Sequence, residues 1–149
     1  MKNDREDKLQ DFSFEGKLHR VKFVETMLVA EGVICDVYAF VDDDTRDLGI
    51  VTVSKGVRTP LERVLNGNRT SSGFLSGHGV LTVTSEDGTK HVYHFDSDSE
   101  NPVVDVKIGE TMQWTADSQT GLIFYEVCDP PYEEGRYEYL PDESSSPNT

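Results

Sequence analysis

The sequence predicts an all-β domain built from many short strands that form a barrel or a sandwich. Its middle part consists of short segments rich in β-branched and aromatic residues, which favour strands. Clusters of Gly, Asn, Asp, Ser and Pro separate these segments, as is typical of turns. No long segment keeps the 3.6-residue period of an amphipathic helix. A set of this kind closes or covers its sheet edges.

The predicted strands follow one another between two polar ends. They are residues 19–24, 32–40, 48–53, 79–84, 90–95, 103–108, 111–115 and 122–128. Asp87-Gly88 predicts a tight hairpin, because this pair supports a positive φ at the turn. Residues 1–12 are charged and predict an N-terminal arm, frayed or in a short helix, while the Ser- and Pro-rich residues 141–149 predict a disordered tail. One domain over residues 13–140 is therefore expected.

The charge of the chain excludes several classes of partner. It carries 28 acidic and 14 basic residues, a net charge of -14. Nucleic-acid binding needs a basic surface, and an anionic membrane repels an acidic protein, so neither partner is expected. There is no apolar run of the ~18 residues that a membrane helix needs. The start of the chain lacks the apolar region of a signal peptide, which predicts a cytoplasmic protein.

The two cysteines are predicted to be buried free thiols. Cys35 and Cys128 lie in apolar, strand-like segments and outside any Cys-x-x-Cys motif. This placement favours a packing role over a disulfide or a nucleophile.

Residues 55–139 resemble the cupin family in the order of their glycines and turns. The first cupin motif opens and closes on Gly, here Gly56 and Gly77, and the second begins with Gly and an acidic residue, here Gly109-Glu110. The resemblance implies a cupin-type double-stranded β-helix, that is, a jelly-roll barrel. It also implies pairing of two barrels through outer strands, so a homodimer is expected.

The residues that hold a metal in cupins are missing from these motifs. The resemblance places Glu62 and Val64 at the two histidine positions of the first motif, Thr70 at its glutamate position, and about Thr120 at the histidine of the second. Cupin sites hold Fe, Mn, Ni or Zn with imidazoles and one carboxylate. We therefore expect neither a bound metal nor another cofactor.

A ligand site is predicted on the inner face of the barrel. If Glu62 points inward, the two-residue period of a strand also turns Arg58 inward, and Phe74 follows on the next strand. Trp114 is either part of the core or a stacking wall. Arg58, Glu62, Phe74 and Trp114 would then bind a small polar molecule, sugar-like or carboxylated. A purely structural Arg58–Glu62 ion pair is the alternative.

An enzymatic function is the second hypothesis. Some cupins act on nucleotide sugars, and the resemblance allows a metal-independent isomerase or epimerase with Glu62 as base and Tyr125 as acid. Such a base needs a pKa near neutrality, whereas Arg58 nearby would lower the pKa of Glu62. The binding function is therefore preferred.

The segment before the tail predicts an arm. Pro130-Pro131 cannot donate to a sheet and must leave it. Tyr132, Tyr137 and Tyr139 then pack across the barrel, on a partner subunit, or as a lid over the pocket. Arg136 is expected to pair with an acidic residue of the same segment.

Overall fold

The computed structural model describes residues 9–98 and 101–141, which form strands and no helix. The predicted all-β class is therefore confirmed. The strands are β1 (Leu9–Phe14), β2 (Lys17–Ala30), β3 (Val33–Phe40), β4 (Asp43–Val53), β5 (Leu61–Val64), β6 (Arg69–Gly77), β7 (Gly79–Thr84), β8 (Lys90–Phe95), β9 (Val104–Asp105), β10 (Thr111–Ala116), β11 (Leu122–Asp129) and β12 (Tyr137–Leu140). Residues 9–12 of the predicted arm belong to β1, and the tail prediction for residues 142–149 lies outside the described part.

Two antiparallel sheets face each other across the domain. The larger has the strand order β1-β2-β3-β4-β11-β6-β9, and the smaller has the order β12-β5-β10-β7-β8. The main core lies between them and is rich in Val, Leu and aromatic side chains. Trp114 stacks on Phe124 with ring centroids 4.4 Å apart, which joins β10 of one sheet to β11 of the other.

A second core covers the outer face of the larger sheet. Successive residues of a strand point to opposite faces, so Tyr125 and Val127 point away from the main core that Phe124 joins. Three strands separate β1 from β11 in the sheet, yet the rings of Phe12 on β1 and Tyr125 on β11 lie 5.0 Å apart. The sheet therefore curls until β1 packs on the back of β11.

Several turns of the barrel depend on glycine at positive φ. Gly56, Gly77 and Gly109, which carry the cupin resemblance, have φ angles of 75°, 88° and 92°. A side chain is strained in this region, and at Gly77 a Cβ atom would also overlap the carbonyl oxygen of Gly121. The predicted hairpin between β7 and β8 is present, with Gly88 at φ 90°.

The C-terminal segment forms a strand at the edge of the smaller sheet. β12 pairs with β5, so that Tyr139 lies opposite Glu62 and Tyr137 opposite Val64. The expectation of an acidic partner for Arg136 is wrong. Its buried guanidinium donates hydrogen bonds of 2.7 Å to the carbonyls of Pro130 and Arg69 and one of 2.9 Å to Oγ1 of Thr70. These bonds fix the segment that leads into β12.

Candidate functional site

A cavity of about 470 Å³ opens between the two sheets. This volume lies in the range of small-molecule sites. The C-terminal segment forms one wall through Tyr132, Tyr137 and Tyr139. Strands β2, β3 and β4 of the larger sheet contribute further lining residues, among them Met27 and Ala39.

The smaller sheet contributes one carboxylate to an otherwise uncharged face. Residues directly opposite each other in antiparallel strands share a face, as do alternate residues of one strand. The pairing therefore places Glu62 between Tyr139 and Met112 in one row across the sheet. Trp114 follows two residues beyond Met112, and all four side chains line the cavity.

The larger sheet contributes a second carboxylate. On β11, Phe124, Glu126 and Cys128 alternate with residues of the second core and line the cavity. Gly49 lies opposite Glu126 on β4 and has no side chain to cover it. Asp47 lies opposite Cys128 and also lines the cavity. The sequence analysis does not name Glu126 as a site residue. The signal for it is one charged residue on the same strand face as the apolar Phe124 and Cys128.

The two glutamates influence each other's protonation. Burial raises the pKa of Glu62 well above the usual range, and the negative charge of Glu126 raises it further. Burial also raises the pKa of Glu126, while hydrogen bonds and the charge of Arg136 oppose this shift. The pair therefore keeps protons at a pH where exposed glutamates have lost them.

Of the two glutamates, only Glu126 is hydrogen-bonded to other residues of the described chain. The Tyr137 hydroxyl donates to Oε1 of Glu126 at 2.7 Å, and Ser72 Oγ lies 3.5 Å from Oε2. The same Tyr137 oxygen lies 3.2 Å from Sγ of Cys128. The Glu62 side chain has no hydrogen bond or ion pair with another residue of the described chain.

The two cysteines behave as packing residues of the cavity wall. Both are free thiols, Cys128 buried and Cys35 half-buried. Burial, together with the nearby charge of Glu126, raises the pKa of Cys35 to about 12 and raises that of Cys128 as well. The thiols therefore stay protonated at neutral pH, which agrees with the prediction that neither is a nucleophile.

Glu62 and Trp114 line the cavity, as their predicted roles require, whereas Arg58 does not. Arg58 pairs with Thr115, which alternates with the inward Trp114 and so points away from the cavity. The expected two-residue period fails because residues 57–60 precede β5 and are not a regular strand. Arg58 is not among the causes that shift the pKa of Glu62, which gives no support to the alternative of a structural Arg58–Glu62 ion pair.

Phe74 and Tyr125 also lie outside the cavity wall. Phe74 packs in the main core, its ring 5.7 Å from that of Phe95. Tyr125 belongs to the second core, on the opposite face of β11 from Glu126. The structure therefore does not bring Tyr125 together with Glu62 in the cavity wall. The phenols that line the cavity are those of Tyr38, Tyr132, Tyr137 and Tyr139.

The residues at the cupin metal positions do not fit the metal set of that family. Val64 is buried in the apolar core, and Thr70 accepts a hydrogen bond from Arg136. Thr120 is exposed in a turn, which leaves Glu62 as the single carboxylate of the set. Within residues 9–98 and 101–141 there is no group of three His, Cys, Asp or Glu side chains placed to hold a metal ion.

Comparison with solved structures identifies the fold of the chain. The capsular polysaccharide assembling protein CapF from Staphylococcus aureus matches at a TM-score of 0.63, with 13% identity over 82% of this chain. Oxalate decarboxylase from Bacillus subtilis matches at a TM-score of 0.61, with 21% identity over 74% of this chain. Both are cupin-fold proteins. The chain has a cupin fold.

The chain is much shorter than the structures it matches. It spans 34% of the CapF chain and 29% of the oxalate decarboxylase chain. No family model matches its sequence. No curated protein matches it either. At these identities the likeness concerns the fold. No helix of the described residues is long and apolar enough to cross a membrane.

Proposed function

We propose that this cupin chain is a cytoplasmic, metal-independent binding protein that holds a small polar organic molecule in the cavity of its barrel. One observation carries the proposal: Glu62 lines an open cavity of about 470 Å³ between the sheets without a partner from the described chain. A buried carboxyl group without a partner is costly, and a ligand that satisfies it removes that cost. Trp114 and Met112 lie in the wall beside it but are almost fully buried in the main core.

The charged residues of the cavity wall restrict the chemical class of the ligand. A carboxylated molecule needs a cation to bind to, and Arg46 is the one Lys or Arg among the described lining residues. Arg46 is already engaged by Asp43 at 3.0 Å and lies over the ring of Phe40. The sugar-like or other polar class therefore suits the cavity better than the carboxylated class.

A matched pair of variants on β3 tests the location of the site. Val37 lines the cavity, whereas Ile34 is on the opposite face of the same strand and is exposed. A thermal-shift screen of metabolites should first yield a ligand that raises Tm. Val37→Trp should then weaken binding by about tenfold or more, because a filled cavity excludes the ligand. Ile34→Trp should bind normally, and equal affinities of the two variants would place the ligand elsewhere.

An isomerase or epimerase is the second candidate function, because Glu62 and Glu126 form a proton-holding pair in the cavity. Glu62 would take a proton from a substrate carbon, and an acid on the opposite wall would return one to the other face. Tyr137 lies on the same sheet as Glu62, but its hydroxyl reaches the opposite wall and donates to Glu126. Burial and the charge of Glu126 raise the pKa of this phenol well above the usual range. So weak an acid makes this candidate second. Glu62→Gln separates the two, since an enzyme loses hydrogen–deuterium exchange of its substrate but keeps binding it.

A further inference from the structure

The Glu62 carboxyl group lies among aromatic rings. Tyr139 is its direct neighbour across the β12–β5 pairing. Tyr132 lines the same cavity as Glu62 and Tyr139, and after burial the charge of Glu62 is the largest cause that raises the pKa of both phenols. The Tyr132 ring lies 5.7 Å from that of Tyr137. The wall beside Glu62 is therefore a group of three tyrosines, which we call the tyrosine wall (Tyr132, Tyr137 and Tyr139).

The cavity has more negative than positive groups within reach. Glu62, Glu126 and Asp47 all line it. Arg136 acts on Glu126 and Asp47 through its charge, but its hydrogen bonds go to the carbonyls of Pro130 and Arg69 and to Thr70. Its charge is not among the causes that shift the pKa of Glu62. Glu62 is thus a carboxylate position that no cation of the described chain compensates.

We propose that the ligand is an organic cation with an alkylated ammonium group, held between the Glu62–Glu126 pair and the tyrosine wall. The proposal rests on the binding function of the cavity and names its ligand class. Aromatic faces attract cations, and this attraction grows when water is excluded. A carboxylate beside the rings adds direct charge pairing.

The chemistry of the wall favours an alkylated ammonium over a primary one. A primary ammonium carries three N–H donors that each need an acceptor. Apart from the carboxylates and a few hydroxyl groups, the cavity is lined mainly by rings and apolar side chains, among them Val37, Tyr132 and Tyr139. Methyl groups on nitrogen pack against such surfaces and spread the charge. The cavity volume of about 470 Å³ accommodates a group of this size with room for a further chain.

The test compares choline with 3,3-dimethylbutan-1-ol, which has the same shape but a carbon atom in place of the charged nitrogen. Binding to the full chain is followed by titration calorimetry at constant ionic strength near neutral pH. We expect choline to bind at least about tenfold more tightly than the neutral alcohol, because charge pairing with the carboxylates adds to the cation–π contacts of the wall. Glu62→Gln should reduce choline binding by at least the same factor. Equal binding of the two probes, or unchanged binding to Glu62→Gln, would overturn the proposal.

A second pair of variants tests the wall without disturbing the core. Tyr139 is 59% exposed, so its replacement leaves the fold intact. Tyr139→Phe keeps the ring face and should hold choline within about threefold of the parent, whereas Tyr139→Leu removes the ring and should weaken it by about fivefold or more. Equal loss in both variants would assign the effect to the hydroxyl and contradict the cation–π role.

The outcomes also separate this inference from the general binding function. If uncharged polyols bind and Val37→Trp abolishes their binding while choline and tetramethylammonium do not bind, the barrel binds small molecules but the cation proposal fails. If neither the cations nor the metabolite screen gives a ligand that Val37→Trp excludes, both proposals fail. Binding of choline to Val37→Trp with the affinity of the parent would place the cation outside the cavity and likewise overturn the inference.

Discussion

Glu62 is a half-buried carboxyl group in the wall of an open cavity and has no partner in the described chain. Such a position lowers stability, because the charged form loses its water and meets the charge of Glu126. Residues of this kind are typical of binding or catalytic sites, where stability is lost in favour of function. The local loss of stability can be measured through its pH dependence.

Replacement of Glu62 by Gln should stabilise the protein, and only above acidic pH. The folded-state pKa of Glu62 lies above the ordinary 4.5, so the folded protein holds a proton that the unfolded chain releases. Stability is therefore lost as pH rises from 4.5 toward the folded-state pKa. Glu62→Gln escapes this loss, which amounts to about 1.4 kcal/mol for each pH unit that separates the folded-state and unfolded-state pKa values.

Thermal melts from about pH 4 to about pH 8 measure this effect through the linkage of protons to folding. The Tm of Glu62→Gln should equal that of the parent at the acidic end and exceed it at the upper end. Glu31→Gln, at an exposed position of the β2–β3 turn, is the control and should follow the parent throughout. A Tm of Glu62→Gln below the parent at the upper end would show that the carboxylate is structurally satisfied.

Arg136 has the opposite role to Glu62, since its burial stabilises the fold. Its guanidinium satisfies two backbone carbonyls and Thr70, and it lies so close to Gly67 that a Cβ atom there would be 2.6 Å from Cζ. Arg136→Met should cost about 3 kcal/mol or more, because several buried acceptors lose their donor. Arg136→Lys should not restore stability, since an ammonium cannot reproduce the fork of donors.

Arg63→Met is the matched control for this prediction. Arg63 makes one surface ion pair of 3.2 Å with Glu138, also between β5 and β12. Its loss should cost less than about 1 kcal/mol. Denaturant unfolding of the variants gives the comparison, and similar losses for Arg136→Met and Arg63→Met would refute the anchoring role of Arg136.

At the scale of elements, a comparison of two turns with glycine at positive φ distinguishes the cost of backbone strain from the cost of steric overlap. Gly77 and Gly88 have nearly equal φ angles of 88° and 90°. At Gly88 a Cβ atom meets nothing within 4 Å, whereas at Gly77 it overlaps the backbone of Gly121. Gly88→Ala should therefore cost about 1–2 kcal/mol from strain alone. Gly77→Ala should cost more than about 3 kcal/mol, because the backbone must also move.

Urea denaturation of the two alanine variants tests this difference. Gly88→Asn provides a control, since Asn tolerates positive φ and should recover part of the loss at the hairpin. Equal destabilisation by Gly77→Ala and Gly88→Ala would mean that β6 and β11 can separate without cost at Gly77.

The glycines show what could be predicted from the sequence, and β11 shows what could not. A turn that needs positive φ favours Gly, so Gly56, Gly77 and Gly109 give the order of the barrel turns from local chemistry alone. The inner face of β11 depends instead on parity, because a shift by one residue exchanges Tyr125 for Glu126. The pairing of β11 with β6 shifts register between residues 123 and 124. The inward-facing residues of β11 therefore cannot be derived from the sequence without knowledge of the partner strand.

The segments that lead into β5 and β12 also could not be predicted from the sequence. A regular strand period predicts that Arg58 points inward, but residues 57–60 are irregular and turn it away. β12 has only four residues and follows two prolines, so its pairing with β5 depends on tertiary contacts. These include the Arg136 hydrogen bonds, whose acceptors on Arg69 and Thr70 lie far away in sequence.

At the scale of the whole molecule, we predict that two copies associate. Apolar attraction favours this association and the like charges of the two copies oppose it. Outward-facing Leu28 and Ile34 lie opposite each other on β2 and β3 and are 76% and 44% exposed. Contiguous exposed apolar side chains mark association surfaces. The tyrosine wall faces the cavity instead, which makes it a poorer interface than its sequence indicated.

We expect a homodimer at tens of micromolar (an order of magnitude, about tenfold above a micromolar Kd) whose dissociation constant falls as salt is added. Each copy has a net charge of -14, so two copies repel each other until ions screen them. Leu28→Lys should give a monomer at low and moderate salt, because it places a charged group in the apolar contact. Tyr139→Ser, on the cavity side, should leave the dimer intact. Light scattering across a salt series measures the mass, and a monomer at all salt concentrations, or a dimer weakened by salt, would contradict an apolar interface between like-charged copies.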